Sequence, residues 1–167
     1  MELSLVFQLI STTAVILGII FGLLNLRNFQ MMRRREAAIL MLNSFQTTDF
    51  VRGLILMFDM RGEISMKTVE KLPKEDYLAL YILLGTWERL GILVHRREIP
   101  LDLVDDAFGG TVMVSWQRLE GFVTQFRENS KRDTAFEWFQ WLAERIRERE
   151  HTDAAIPAYI RARKWKA

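Results

Sequence analysis

The chain has 167 residues, 50% of them hydrophobic and 26% charged, and its 23 basic and 21 acidic residues leave a formal net charge of +2 at pH 7. That composition is too apolar for a disordered protein, and three prolines with nine glycines exclude collagen-like and proline-rich chains. The absence of cysteine removes zinc fingers, iron–sulfur clusters, disulfide frameworks and thiol nucleophiles, and the near-balanced charge predicts no nucleic-acid partner for the chain as a whole.

From Leu3 to Leu26 the sequence carries no charge, and its only polar side chains are Ser4, Gln8, Ser11, Thr12, Thr13 and Asn25. As a helix this stretch is roughly 36 Å long, enough to cross a hydrocarbon core of about 30 Å with some tilt. Two other readings compete. A cleavable signal peptide needs a basic start, a shorter apolar run and a small-residue cleavage site, whereas this chain starts Met1-Glu2 and continues past the apolar run into Arg27-Asn28-Phe29. A buried core helix of a soluble protein is usually shorter and seldom so free of charge. The expectation is therefore a transmembrane anchor over residues 1–26, in contact with membrane lipid.

Charge sets the expected orientation. Only Glu2 precedes the apolar run, while Arg27, Arg33, Arg34 and Arg35 follow it before the next acid, Glu36. Basic flanks stay on the cytoplasmic side, which predicts an outside N-terminus and residues 27–167 in the cytoplasm, at the inner or plasma membrane. The same arginines suit anionic lipid headgroups. Within the run, Ala14, Gly18 and Gly22 recur every fourth residue and include a GxxxG pair, with Ser11 and Asn25 on nearly the same stripe. Such a stripe lets two backbones approach closely, so a homo-oligomer formed through Ala14, Gly18 and Gly22 is expected.

Beyond the anchor, a juxtamembrane helix is expected over residues 27–45, a cytoplasmic helical bundle over 46–150 and a basic tail over 151–167. Thr47-Thr48-Asp49 supplies capping oxygens for a helix over Phe50–Phe58. A turn at Met60–Glu63 leads to a short helical stretch from Ser65 to Leu72. Pro73-Lys74-Glu75-Asp76 opens the strongest helix, whose broad apolar surface predicts a central position. A short helix over Leu101–Phe108 is expected to end at Gly109-Gly110, with a second from Thr111 to Glu128. The last regular helix covers Thr134–Arg149, capped by Asp133 or Thr134, with Phe136, Phe139, Leu142 and Ile146 inward. No alternating strand pattern persists. The fold class is all-α: an N-terminal transmembrane helix followed by a small antiparallel helical bundle.

The stretch from Leu78 to Ile146 resembles a bacterial family of uncharacterised proteins with one N-terminal membrane helix and a helical cytoplasmic domain. The clusters carrying the likeness are Trp87-Glu88-Arg89-Leu90-Gly91-Ile92-Leu93, Leu103-Val104-Asp105-Asp106-Ala107-Phe108-Gly109-Gly110, Ser115-Trp116-Gln117-Arg118-Leu119 and Phe136-Glu137-Trp138. The resemblance implies the architecture and the compartment. The family is a domain of unknown function, so it implies no activity and no catalytic residues.

Local motifs for chemistry are missing from the sequence. The two histidines, His95 and His151, have no metal-ligand spacing, and Asp102, Asp105 and Asp106 read as acids of a first helical turn. Gly109-Gly110-Thr111 lacks the rest of a phosphate loop, and Ser115 has no neighbouring base. No catalytic residue, cofactor or metal is predicted. Glu88 and Arg118 each sit among apolar residues near the core side of their helices, which predicts a structural buried ion pair of Glu88 with Arg118, Arg89 or Arg127.

Three functional readings follow. The first is a membrane-anchored interaction or adaptor domain that self-associates and meets a protein partner, and it is not an enzyme. The second is a small-molecule sensor or enzyme with a pocket near Glu88, Trp87 and Trp116. The third gives the tail, with Arg161, Arg163, Lys164 and Lys166 around Trp165, a contact with anionic lipid or nucleic acid.

Overall fold

A computed structural model describes the backbone of residues 2–45, 47–152 and 158–165; before Phe45 its described side chains are Gln8, residues 12–29, Met32, Glu36, Ile39 and Asn43. The chain divides into two units, Met1–Leu40 and Met41–Ala167. Every regular element among the described residues is a helix, and none is a strand.

The first helix, α1, runs from Glu2 to Ser44. Its sequence holds no proline and only Gly18 and Gly22 to weaken it, so nothing local ends it before Ser44. Among the described residues, two stretches are long and apolar enough to cross a membrane, Thr12–Phe29 and Lys74–His95. Their surroundings differ. None of the residues Thr12–Phe29 is buried, whereas half of Lys74–His95 is. The second stretch has an ordinary reason to be apolar, because it is the core of the second unit.

That unit is built from helices packed side by side. Helix α2 covers Thr48–Asp59, and Thr47 caps it by accepting the Phe50 N–H on Oγ1 at 3.3 Å. A short α3, Met66–Glu70, starts from Ser65, whose hydroxyl accepts the Thr68 N–H. Pro73 stands at the N-cap of α4, Lys74–His95, which contains Leu80, Leu83, Leu84 and Trp87, all fully buried. Helix α5 spans Leu101–Ser130, α6 Glu137–Thr152, and α7 Ala158–Arg161.

Side-chain partners fix the directions of these helices. Arg52 on α2 reaches Glu75 and Asp76 at the start of α4, each at 2.7 Å, while Phe50 at the start of α2 meets Trp87 further along α4. The two are therefore antiparallel. Tyr81 packs on Phe122 and Trp87 on Phe108, so α5 runs against α4. Helix α6 runs against α5 in turn, with Trp116 on Phe139 and Arg149 bonded to Asp105. Close backbone approach at two crossings depends on glycine. A Cβ at Gly53 would collide with the carbonyl of Ala79 between α2 and α4, and one at Gly91 with the carbonyl of Trp138 between α4 and α6.

Two expectations need correction. Gly109-Gly110 does not divide two helices; α5 passes through both as one element of thirty residues. Two glycines cost a helix about 1 kcal/mol each, but Val104, Val112, Trp116 and Leu119 on either side share one buried face, and burying each large apolar side chain is worth about 1.5–3 kcal/mol. Packing along the whole face outweighs the local weakness. Helix α6 begins at Glu137 rather than Thr134, because the chain turns through residues 131–136 and holds Phe136 in the left-handed region at φ 55°.

Candidate functional site

The residues singled out for chemistry converge where α4, α5 and α6 meet. Trp87 on α4 and Trp116 on α5 are buried, at 0% and 3% exposure. Between them stands the ring of Phe139 from α6, stacked 6.4 Å from Trp87 and edge-on at 5.2 Å from Trp116. The space expected to hold a small molecule is occupied by that ring. Phe139 is itself fully buried.

Glu88 lies beside this aromatic core, half-buried. Its Oε2 accepts the backbone N–H of Phe139 at 2.8 Å, so the carboxylate caps the first turn of α6 from a different helix. Burial pushes the carboxyl above its ordinary range, and nearby Glu137 adds to that; the amides of Phe139 and Trp138 and the charge of Arg127 pull the other way without cancelling it.

Arg118 does not pair with Glu88. Its guanidinium donates to the carbonyls of Phe58, at 3.0 Å, and of Met60, at the C-terminal end of α2. The carbonyl of Arg118 also accepts the Ile64 N–H at 3.1 Å, so one residue holds the segment after α2 through both side chain and backbone. The other two candidates are engaged elsewhere. Arg127 donates to the Ala135 carbonyl and to Gln140, and Arg89 to the Gly85 carbonyl on its own helix. The expected ion pair is replaced by two charged side chains at two helix ends. An arginine favours the negative C-terminal end of α2 and a carboxylate the positive N-terminal end of α6.

Two buried polar atoms at this level have no hydrogen-bond partner among the described residues: Trp87 Nε1 and Ser115 Oγ. Ser115 is one heptad from both Phe108 and Phe122, two of the α5 residues that touch α4, so it shares that apolar stripe.

The remaining candidates among the described residues make packing and ion-pair contacts. Asp105 accepts from Arg149 at 3.2 Å, and His95 packs its ring on Trp138 at 4.4 Å. The side chain of His151 lies outside the described residues. Among the described residues no three of His, Asp and Glu gather as a metal cluster. In the first unit Ala14, Gly18 and Gly22 are exposed, and a Cβ at either glycine would meet nothing within 4 Å. Arg27 is exposed; Arg33, Arg34 and Arg35 lie on α1, with side chains outside the described set.

Apolar side chains are exposed along α2 as well. Val51, Ile55 and Phe58 form one row at four- and three-residue steps, 43%, 55% and 47% exposed, opposite the buried Phe50, Gly53 and Met57. Sequence reading missed this row, although the apolar excess of FVRGLILMF carried the signal.

These features define an all-α domain in which Glu88 and Arg118 serve helix ends and Phe139 fills the junction between Trp87 and Trp116, preceded by an exposed apolar helix of membrane-crossing length. The chain belongs to the family described as Domain of unknown function (DUF4760), which it matches over residues 12–146. No curated protein and no solved structure matches it.

Proposed function

We propose that this protein is a single-pass, membrane-anchored interaction domain: the N-terminus outside, residues 27–167 cytoplasmic, with self-association through the anchor and no catalytic role. The observation that carries the reading is the stretch Thr12–Phe29, apolar, helical and without one buried residue. Water offers such a surface no compensation, whereas acyl chains do, and an unbroken helix satisfies its own backbone there. The family match runs across this whole stretch, so the apolar helix is a component of the family domain. Arg27, Arg33, Arg34 and Arg35 on one side only support the orientation.

Support for an interaction role is twofold. Phe139 occupies the junction that a sensor or enzyme would need open. The α2 row of Val51, Ile55 and Phe58 leaves a contiguous apolar surface in water, as protein-contacting surfaces do.

The test is fractionation of cells making the full chain. Expected are pelleting with membranes, resistance to alkaline carbonate extraction, and protease sensitivity of residues beyond 45 only after the cytoplasmic face is opened. A full-length, uncleaved chain that stays in the supernatant after high-speed centrifugation overturns the reading. For self-association, Gly18→Ile with Gly22→Ile should lower crosslinked dimer in membranes at least severalfold, and unchanged crosslinking would remove that part.

A further inference from the structure

The C-terminal tail leaves the helical unit at the end where the chain enters it. Helix α6 runs antiparallel to α5, and its last turns lie against the first turns of α5, where Arg149 Nε bonds Asp105 Oδ2 at 3.2 Å. In the next turn of α5, Phe108 stacks on Phe45 at 4.0 Å. Phe45 directly follows Ser44, the last residue of α1. Chain entry and chain exit are therefore neighbours on one end of the unit.

The composition of the tail is specific. From Ala158 to Ala167 it holds Arg161, Arg163, Lys164 and Lys166 and no acid. Tyr159, Ile160 and Trp165 are 78%, 51% and 77% exposed, although α7 and the turn after it give residues 158–165 a defined backbone. Exposed Trp and Tyr among Lys and Arg are the composition of a bilayer interface, where rings enter the headgroup layer and cations meet lipid phosphate. Exposed Arg96 and Arg97 at the end of α4 share this end of the unit, but so do Glu98 and Asp102, so the positive excess belongs to the tail.

Reach is sufficient. Helix α1 is continuous from Phe29 to Ser44, which limits the distance between the apolar stretch and Ser44 to about 22 Å. The chain from Thr152 to Ala158 can span roughly 20 Å, and α7 with the turn after it adds about 10 Å. With the anchor in a bilayer, the tail is held near that surface at high effective concentration, while a nucleic acid must arrive from solution.

We infer that residues 158–167 form a second, electrostatic membrane contact, their cations on anionic lipid phosphates and Tyr159, Ile160 and Trp165 in the headgroup layer. The inference rests on the membrane-anchored reading. Each cation near an anionic surface strengthens association roughly fivefold, so the contact is reversible and salt-sensitive where the anchor is neither.

The test uses the full chain, which has no native cysteine, carrying Ala162→Cys with an environment-sensitive dye. The labelled protein is reconstituted into phosphatidylcholine vesicles, with or without one-third phosphatidylglycerol. Expected is flotation with both vesicles, a blue-shifted dye only on the anionic ones, and reversal at about 1 M salt, where the screening length is about 3 Å. Replacing Arg161, Arg163, Lys164 and Lys166 together by Gln should abolish the shift and leave flotation intact. Flotation with an unresponsive dye on anionic vesicles overturns the tail contact alone. Failure to float with either vesicle overturns the anchor reading and this inference with it. A dye that responds to added RNA or DNA and not to anionic lipid assigns the tail to nucleic acid and overturns the proposal.

Discussion

Glu88 Oε2 accepts the backbone N–H of Phe139 at 2.8 Å, so the first turn of α6 is capped by a residue from α4. On the chain just before α6 the Thr134 carbonyl accepts the Glu137 N–H at 3.3 Å, and the turn through 131–136 feeds the helix from a left-handed Phe136. The carboxylate expected as half of an ion pair is a helix cap supplied across the bundle.

Removing that cap should weaken the second unit. Glu88→Ala is expected to lower its stability by about 1–2 kcal/mol, with faster amide exchange in the first turn of α6. Glu88→Gln keeps an oxygen for the Phe139 N–H and should be no less stable than the parent at neutral pH. The pH dependence follows from the raised carboxyl. Since the folded state holds the proton more tightly than the unfolded state, stability falls as pH rises from the ordinary carboxylate value through the raised one. Thermal unfolding between about pH 4 and pH 7 should therefore favour Glu88→Gln over the parent increasingly as pH rises. A difference that shrinks with pH would contradict this assignment.

Arg118 performs the complementary task at the far end of α2. Its guanidinium satisfies the carbonyls of Phe58 and Met60, and Gln125, about two helical turns on, accepts the Met66 N–H at 3.0 Å. Arg118→Ala should cost about 1–3 kcal/mol and raise amide exchange selectively in residues 58–66. Arg118→Lys should recover only part of the loss, since an ammonium cannot span two carbonyls as the planar fork does. Equal exchange in that segment for parent and Ala variant would show that the backbone bond from Ile64 suffices.

These two residues mark where the sequence is legible and where it is not. The start of α2 at Thr47 and of α4 at Pro73 are local matters of capping and φ, and they stand where the residue pattern put them. That Glu88 and Arg118 need partners is also readable, since each is charged in apolar surroundings. Which partners is not, because the groups they satisfy are backbone atoms, present at every position and without a side-chain signature. The continuity of α5 escaped for a related reason. Gly109-Gly110 looks like a break locally, and only the buried stripe running through it keeps the helix whole.

Glycines in the second unit divide into those the packing needs and those it does not. Gly91 faces the Trp138 backbone, and a methyl there collides with a carbonyl and a Cβ, neither of which can turn away. Gly91→Ala should destabilise by about 1–3 kcal/mol despite its better helix propensity. Gly110, inside α5, has nothing within 4 Å of a built Cβ. Gly110→Ala should stabilise by about 0.5–1 kcal/mol. Opposite signs in two otherwise identical substitutions, read by chemical denaturation, are the expected result; equal signs would reject the close α4–α6 crossing.

Ser115 offers the cleanest gain. Its side chain is fully buried, its Oγ has no partner among the described residues, and its neighbours one heptad away on either side are Phe108 and Phe122. A buried hydroxyl without a hydrogen bond costs about 1–3 kcal/mol of desolvation, and serine is a poorer helix former than alanine by up to about 0.5 kcal/mol. Ser115→Ala removes both penalties and leaves only the small void of one oxygen atom. The variant should be more stable by about 1 kcal/mol, a rise of a few degrees in the midpoint of thermal unfolding. Ser115→Val separates the terms, because it also removes the hydroxyl but adds bulk between α4 and α5. It should lose stability relative to Ser115→Ala. A Ser115→Ala variant less stable than the parent would mean that the hydroxyl is bonded in solution, for example through a buried water.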